Sequence, residues 1–250
     1  MSDCGVCGRR LEAGSARCRN PLCASASRWF RWSVAVAERS GLLEEALNAY
    51  KYRGDRSRAQ VFGTMLAGFL AQRRRLVDGF DLVVASPTFV GAGGRDFDHV
   101  RLILTEAAGR AVPDDAARFD LGEPPAVVKT GPTPRFAGRG HAERRRLAVE
   151  CLRPLLRVPD PRRTAGRRIL VFDDVFTDGR TLDEVARALR LQGGAREVCG
   201  VALCRQPWRD GTRRPDTRTH MRDRVRPHCT DAPAAYVIHG SGSTCNPPAI

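Results

Sequence analysis

The chain has 250 residues, 42% of them apolar, which is enough for one sizeable core with a small appended module. Its formal charge is +14, and only Lys51 and Lys129 among 42 basic residues are lysines; an excess of this kind suits phosphorylated ligands or nucleic acid, although no dense basic run interleaved with aromatics occurs. No run of ~18 apolar residues exists to cross a membrane and Met1-Ser2-Asp3-Cys4 opens no signal peptide, so a cytoplasmic chain without membrane insertion is predicted.

Nine cysteines, an odd count without a secretion signal, point to reduced thiols and metal ligands instead of disulfides. Cys4-x2-Cys7 and Cys18-x4-Cys23 are separated by ten residues, and Gly5 and Gly8 permit a tight turn around the first pair. Four soft thiolates at this spacing suit tetrahedral Zn2+ in a closed, structural site, so residues 1–28 read as a zinc knuckle. Cys151, Cys199, Cys204, Cys229 and Cys245 lack metal spacing, and Cys199 and Cys204 read as core residues.

Residues 29–207 read as one α/β domain. Trp29, Phe30, Trp32, Val34 and Val36 form an apolar bridge, followed by a predicted helix from Leu42 to Tyr52 and the segment Tyr50-Lys51-Tyr52-Arg53-Gly54-Asp55. Val61, Phe62, Met65, Leu66, Phe69 and Leu70 give the next helix an apolar face. Asp81–Ala85 is a predicted strand closed by Ser86-Pro87. The Gly-rich loop Gly91–Gly94 leads to a helix bearing Val100, Ile103, Leu104 and Ala107 on one side, and Ala126–Val128 reads as another strand. Thr130–Pro134 and Gly138–Gly140 lead into a single predicted helix from Ala142 to Leu156, and Arg135–Arg146 could form a lid from which Arg139 or His141 reaches a ligand. Val198–Leu203 supplies the last strand, after the helix stop at Gly193-Gly194. Strands alternating with helices predict a parallel sheet whose ligands bind at the strands' carboxyl ends.

The most informative stretch lies between these last two elements. Ile169–Phe172 reads as a buried parallel strand, and Leu182, Val185, Ala186 and Leu189 share one helix face. Between them lie two carboxylates, Asp173 and Asp174, and the loop Thr177-Asp178-Gly179-Arg180-Thr181. A loop opening a helix offers unpaired N–H groups and the positive end of the helix dipole to a phosphate, with the two threonine hydroxyls as further donors. Carboxylates beside it can accept hydrogen bonds from ribose hydroxyls or hold a divalent metal. The absence of G-x-x-x-x-G-K-[ST] argues against a nucleoside-triphosphate loop.

Beyond Trp208 the composition turns to Arg, Pro, Thr, Asp, Gly and Ser, so 208–250 is predicted to be a low-complexity, disordered tail. His220, His228, Cys229, His239 and Cys245 within it fit no metal-finger spacing.

The central motif resembles the 5-phosphoribosyl-1-diphosphate (PRPP) motif of type I phosphoribosyltransferases. Together with the knuckle, the Tyr50–Asp55 segment and the strand closed by Ser86-Pro87, it makes residues 1–207 resemble the ComF-type family of competence-associated, phosphoribosyltransferase-like proteins. That resemblance implies a type I phosphoribosyltransferase-like sheet in which Asp173 and Asp174 meet the ribose hydroxyls and act in any catalysis, and Thr177, Asp178, Gly179, Arg180 and Thr181 cradle the 5-phosphate. It implies Mg2+ entering with PRPP and a diphosphate leaving group met by Lys51, Arg53 or Arg95, with residues 24–55 hooding the acceptor. Family members carry Arg-Gly-Phe-Asn-Gln in the diphosphate loop, whereas this chain reads Gly94-Arg95-Asp96-Phe97-Asp98-His99. The competence association implies the alternative, a non-catalytic nucleotide sensor or an accessory of DNA uptake or processing, with single-stranded DNA or DNA-processing proteins as partners.

Overall fold

The computed structural model describes residues 3–12, 14–136 and 138–207. In chain order these form β1 (Ser33–Glu38), α1 (Gly41–Arg53), α2 (Arg58–Gln72), α3 (Arg74–Val77), β2 (Leu82–Ala85), α4 (His99–Ala108), α5 (Pro113–Ala116), β3 (Val128–Lys129), α6 (His141–Leu147), β4 (Leu156–Arg157), β5 (Arg168–Phe176), α7 (Arg180–Leu191) and β6 (Glu197–Arg205). The predicted tail and its histidines and cysteines lie outside the described residues. Among those described, no helix is long and apolar enough to cross a membrane.

β1, β6, β5 and β2 pair in that order into a four-stranded, wholly parallel sheet with helices on both faces. Successive side chains of a strand point to opposite faces, and β5 uses both. Leu170 and Phe172 pack against α1, α2 and α4 through Leu47, Tyr50, Phe62 and Leu104. Ile169 and Val171 pack against α7 through Val185, Ala186 and Leu189, together with Leu152, Leu156 and knuckle residue Leu22. Burial on both faces explains why β5 reads as a continuous apolar run. Truncating such a fully buried Leu or Phe costs about 2–5 kcal/mol.

Three predicted elements change. The apolar bridge around Val34 and Val36 is in fact an edge strand, β1, paired with β6 from Ser33↔Gly200 to Glu38↔Arg205. Its alternation of valine with alanine fits a sheet edge whose side chains are buried on both faces. The single helix predicted from Ala142 to Leu156 is broken. α6 gives way to a widened turn at Ala148–Leu152 and a tight one at Arg153–Leu155, where Pro154 lacks the N–H a continuing helix needs. Ala126 and Val127 are not strand residues; the Ala126 N–H donates to Asp120 Oδ2 at 2.6 Å, and only Val128–Lys129 pair, antiparallel to β4 and outside the main sheet.

Candidate functional site

β5 delivers both carboxylates to its carboxyl end, and its alternation sends them apart. Asp173 follows Ile169 and Val171 and borders the cleft over the loop into α7. Asp174 follows Leu170 and Phe172; its Oδ2 lies 2.5 Å from Lys51 Nζ and 2.7 Å from His99 Nε2, on α1 and α4 respectively. Burial alone would raise the Asp174 carboxyl, but Lys51 and His99 more than offset it and hold the group below the usual carboxylate range. Burial and the charge of Asp174 push Asp173 the other way, up to about 7, against the pull of Lys51 and of hydrogen bonds from the Asp174 N–H and Ser86. The adjacent acids therefore have opposite characters: one stays ionised within the fold, and the other meets the cleft with its proton in play near neutrality.

Thr177, Asp178, Gly179, Arg180 and Thr181 all line the cleft beside Asp173. Gly179 caps α7 with φ +88°, a left-handed value that favours glycine. A Cβ there would also lie 2.9 Å from Phe176 Cζ and 3.2 Å from Leu22 Cδ2, so the position is closed sterically as well. Gly200 does a similar service below, where a Cβ would collide with Leu182, the first apolar residue of α7. Helix α7 thus starts tight against the sheet, with its first N–H groups at the cleft.

Asp178 does not stand as a bare negative charge at this loop. Its Oδ1 accepts from the Arg180 N–H at 3.2 Å, and its Oδ2 lies 3.6 Å from both Arg144 Nη1 and His141 Nδ1, which descend from α6. Arg144 lines the cleft, and its side chain is largely buried. Of the two residues predicted to reach a ligand, His141 approaches the loop, whereas Arg139 pairs with Glu143 at 2.8 Å, and Arg144 is the basic residue that sequence reasoning missed. Its signal was the spacing from His141 to Arg144, one helical turn, hidden within Arg144-Arg145-Arg146.

Lys51 and Arg95 are not brought to the loop. With Tyr52, Gly94, Asp96, Phe97 and His99 they line a second cleft. Two guanidinium groups approach the Tyr52 ring there, with Arg95 Cζ 4.7 Å and Arg135 Cζ 5.4 Å from its centre. Arg95 also donates to the Lys51 carbonyl at 3.3 Å. Burial above all, and then the charge of Arg95, lowers the pKa of nearby Lys129.

Cys4, Cys7, Cys18 and Cys23 come together, their Sγ atoms all within 4.8 Å of one another. Cys7 and Cys18 Sγ are 3.7 Å apart, close to the edge of about 3.8 Å that a tetrahedron with Zn–S bonds of ~2.3 Å requires. The surroundings fit a negatively charged metal-thiolate centre. The Asn20 N–H points at Cys18 Sγ at 3.5 Å. Buried Arg205 faces this module, donating from Nη1 to the Gly8 carbonyl at 2.6 Å, while its Nε and Nη2 have no hydrogen-bond partner among the described residues. The group could therefore hold a metal ion.

These features define an α/β protein with a strand-end cleft over a helix amino terminus and a cluster of four thiols that could hold a metal ion. Neither the models of known protein families nor the curated proteins contain a match to the chain.

Proposed function

We propose that this chain is a PRPP-binding protein of the ComF type, built on a type I phosphoribosyltransferase-like sheet with a structural Zn2+ in its Cys4 knuckle. The observation that carries the reading is the join of Asp173 to the Gly179-capped amino terminus of α7 in one cleft, with Arg144 above it. A 5-phosphate suits the loop N–H groups, the Thr177 and Thr181 hydroxyls and the Arg144 guanidinium. Ionised Asp173 is a natural acceptor for a ribose hydroxyl. Asp174, engaged by Lys51 and His99, serves in this reading to orient the strand end and the second cleft.

If phosphoribosyl transfer follows, the bond from ribose C1 to the diphosphate oxygen breaks, the electron pair leaves with diphosphate, and positive charge grows on the sugar. Asp173, beside the sugar, favours that charge once ionised. Arg95, which lines the second cleft with Lys51, is the basic residue this reading assigns to the leaving group. Mg2+ bound with PRPP would neutralise diphosphate charge, and Asp173, which borders the cleft, is a carboxylate that could contact it.

Calorimetric titration with PRPP and Mg2+ tests the reading. Saturable binding that Arg144→Ala and Asp173→Asn each weaken is expected; equal binding by all three proteins would refute it. Magnesium-dependent release of diphosphate separates turnover from binding alone.

The arrangement around Tyr52 favours a second reading, an accessory of DNA processing that holds single-stranded DNA. Tyr52 is 49% exposed, and with Arg95 and Arg135 near its ring it offers a base an aromatic surface and its phosphates two cations. Salt-dependent DNA binding lost in Tyr52→Ala but retained in Arg144→Ala would support it.

A further inference from the structure

The knuckle touches the rest of the fold at the same loop that lines the cleft. Arg9 donates from Nη2 to the Thr177 carbonyl and to the Gln206 carbonyl, both at 3.2 Å, and its guanidinium lies against the Cys7 thiol. Asn20, 1% exposed, lies between the ligands Cys18 and Cys23. Its backbone N–H faces Cys18 Sγ, its Oδ1 accepts from the Leu22 N–H at 3.1 Å, and its Nδ2 donates to the Asp178 carbonyl at 2.9 Å. Leu22 fills the space where a Gly179 side chain would stand.

In a trans peptide the carbonyl and the following N–H point in opposite directions. Tying the Thr177 and Asp178 carbonyls to the knuckle therefore turns the Asp178 and Gly179 N–H groups away from it, toward the cleft. On that side Arg144 Nε, a donor, is buried without a hydrogen-bond partner among the described residues. The loop is held on its metal side and left open on its cleft side.

We infer that the Cys4 metal centre and the anion loop form one coupled unit, in which Arg9 and Asn20 are positioning residues that transmit metal occupancy to phosphate affinity. This rests on the loop being the phosphate site proposed above. Without the metal, the segment from Cys18 to Cys23 loses the anchor at both of its ends, so the Asn20 and Leu22 contacts loosen and the two N–H groups lose their direction. Coupling between two sites is reciprocal, so phosphate must tighten the hold on the metal by the factor with which the metal tightens the hold on phosphate.

The test is zinc transfer from the loaded full chain to a chelator, with inorganic phosphate or with chloride at matched ionic strength. We expect saturating phosphate to lower zinc release about 5-fold or more, the lower end of ordinary coupling between sites. Arg144→Ala should move the effect to roughly 10- to 150-fold higher phosphate, and Asn20→Ala should reduce it at saturating phosphate while its Co2+-loaded form keeps a tetrahedral thiolate spectrum. The wild-type measurement stands without any variant. Phosphate binding, seen calorimetrically, without an effect on zinc release would overturn the coupling and leave the site reading intact. Absence of phosphate binding would overturn both.

Discussion

Asp174 Oδ2 lies 2.5 Å from Lys51 Nζ, with only 6% and 12% of the two side chains exposed, and so the second carboxylate of the central motif is a buried ion pair. Removing one partner of such a pair leaves the other uncompensated, at a cost of about 3–5 kcal/mol. Asp174→Asn should therefore lower the urea midpoint strongly, because it leaves Lys51 charged and buried. Lys51→Met together with Asp174→Asn should recover part of the loss. A midpoint unchanged in Asp174→Asn would show the pair to be dispensable. Loss of ligand binding in this variant alone would not identify Asp174 as a ligand contact, which makes Asp173→Asn the sharper probe.

The two carboxylates pull stability in opposite directions with pH. Asp174 titrates below the unfolded value of ~3.9, so its contribution is present above that value and is lost as acid protonates the folded form. Asp173 titrates near 7 when folded, so its contribution is fully present below the unfolded value of ~3.9 and disappears as pH rises through about 7. Asp173→Asn should accordingly gain stability relative to wild type as pH rises from about 4 to about 7, read from thermal midpoints in parallel. PRPP affinity should rise with pH more steeply in wild type than in the variant up to about 7, since only the ionised carboxylate is purely an acceptor while the ligand's own phosphates titrate alike with both proteins. Parallel pH curves for both proteins would remove Asp173 from both roles.

What could be read in the chain was what local pattern encodes. β5 and α7 were legible because burial on both faces makes a strand a continuous apolar run and a helix repeats every three or four residues; Cys4, Cys7, Cys18 and Cys23 were legible because metal spacing is short-range. Adjacent Asp173 and Asp174 suggested a shared task, yet the two-residue period of a strand separates neighbours, and the residues that claim Asp174 come from α1 and α4. β1 was missed because Ser33–Ala37 carries small side chains and is set by its partner β6. Arg144 was missed because its neighbours Arg145 and Arg146 have the same chemistry; only the turn of α6 distinguishes the one that faces Asp178.

Gly179 combines a left-handed φ of +88° with close packing on Phe176 and Leu22. Alanine there costs about 1–2 kcal/mol from the backbone alone, before the side chains shift. Gly179→Ala should thus unfold at lower denaturant and lose phosphate binding out of proportion, because relief of the contact moves the first turn of α7. Phosphate affinity equal to wild type at unchanged stability would mean that the backbone here tolerates a side chain and that the tight turn has no functional role.

Arg144, Arg145 and Arg146 carry equal charge but occupy different environments, and this makes them a controlled series. Arg144 faces Asp178 in the cleft, Arg145 is exposed, and Arg146 pairs with Glu150 at 3.1 Å on the helix surface. A hydrogen bond to a charged group contributes about 1.5–3 kcal/mol, or roughly 10- to 150-fold in affinity. Arg144→Ala should weaken phosphate binding within that range, whereas Arg145→Ala and Arg146→Ala should change it less than about twofold, as screened surface charges do. Equal losses across the three variants would mean that phosphate senses only the net charge of α6, and the cleft would then have no claim to a specific anion site.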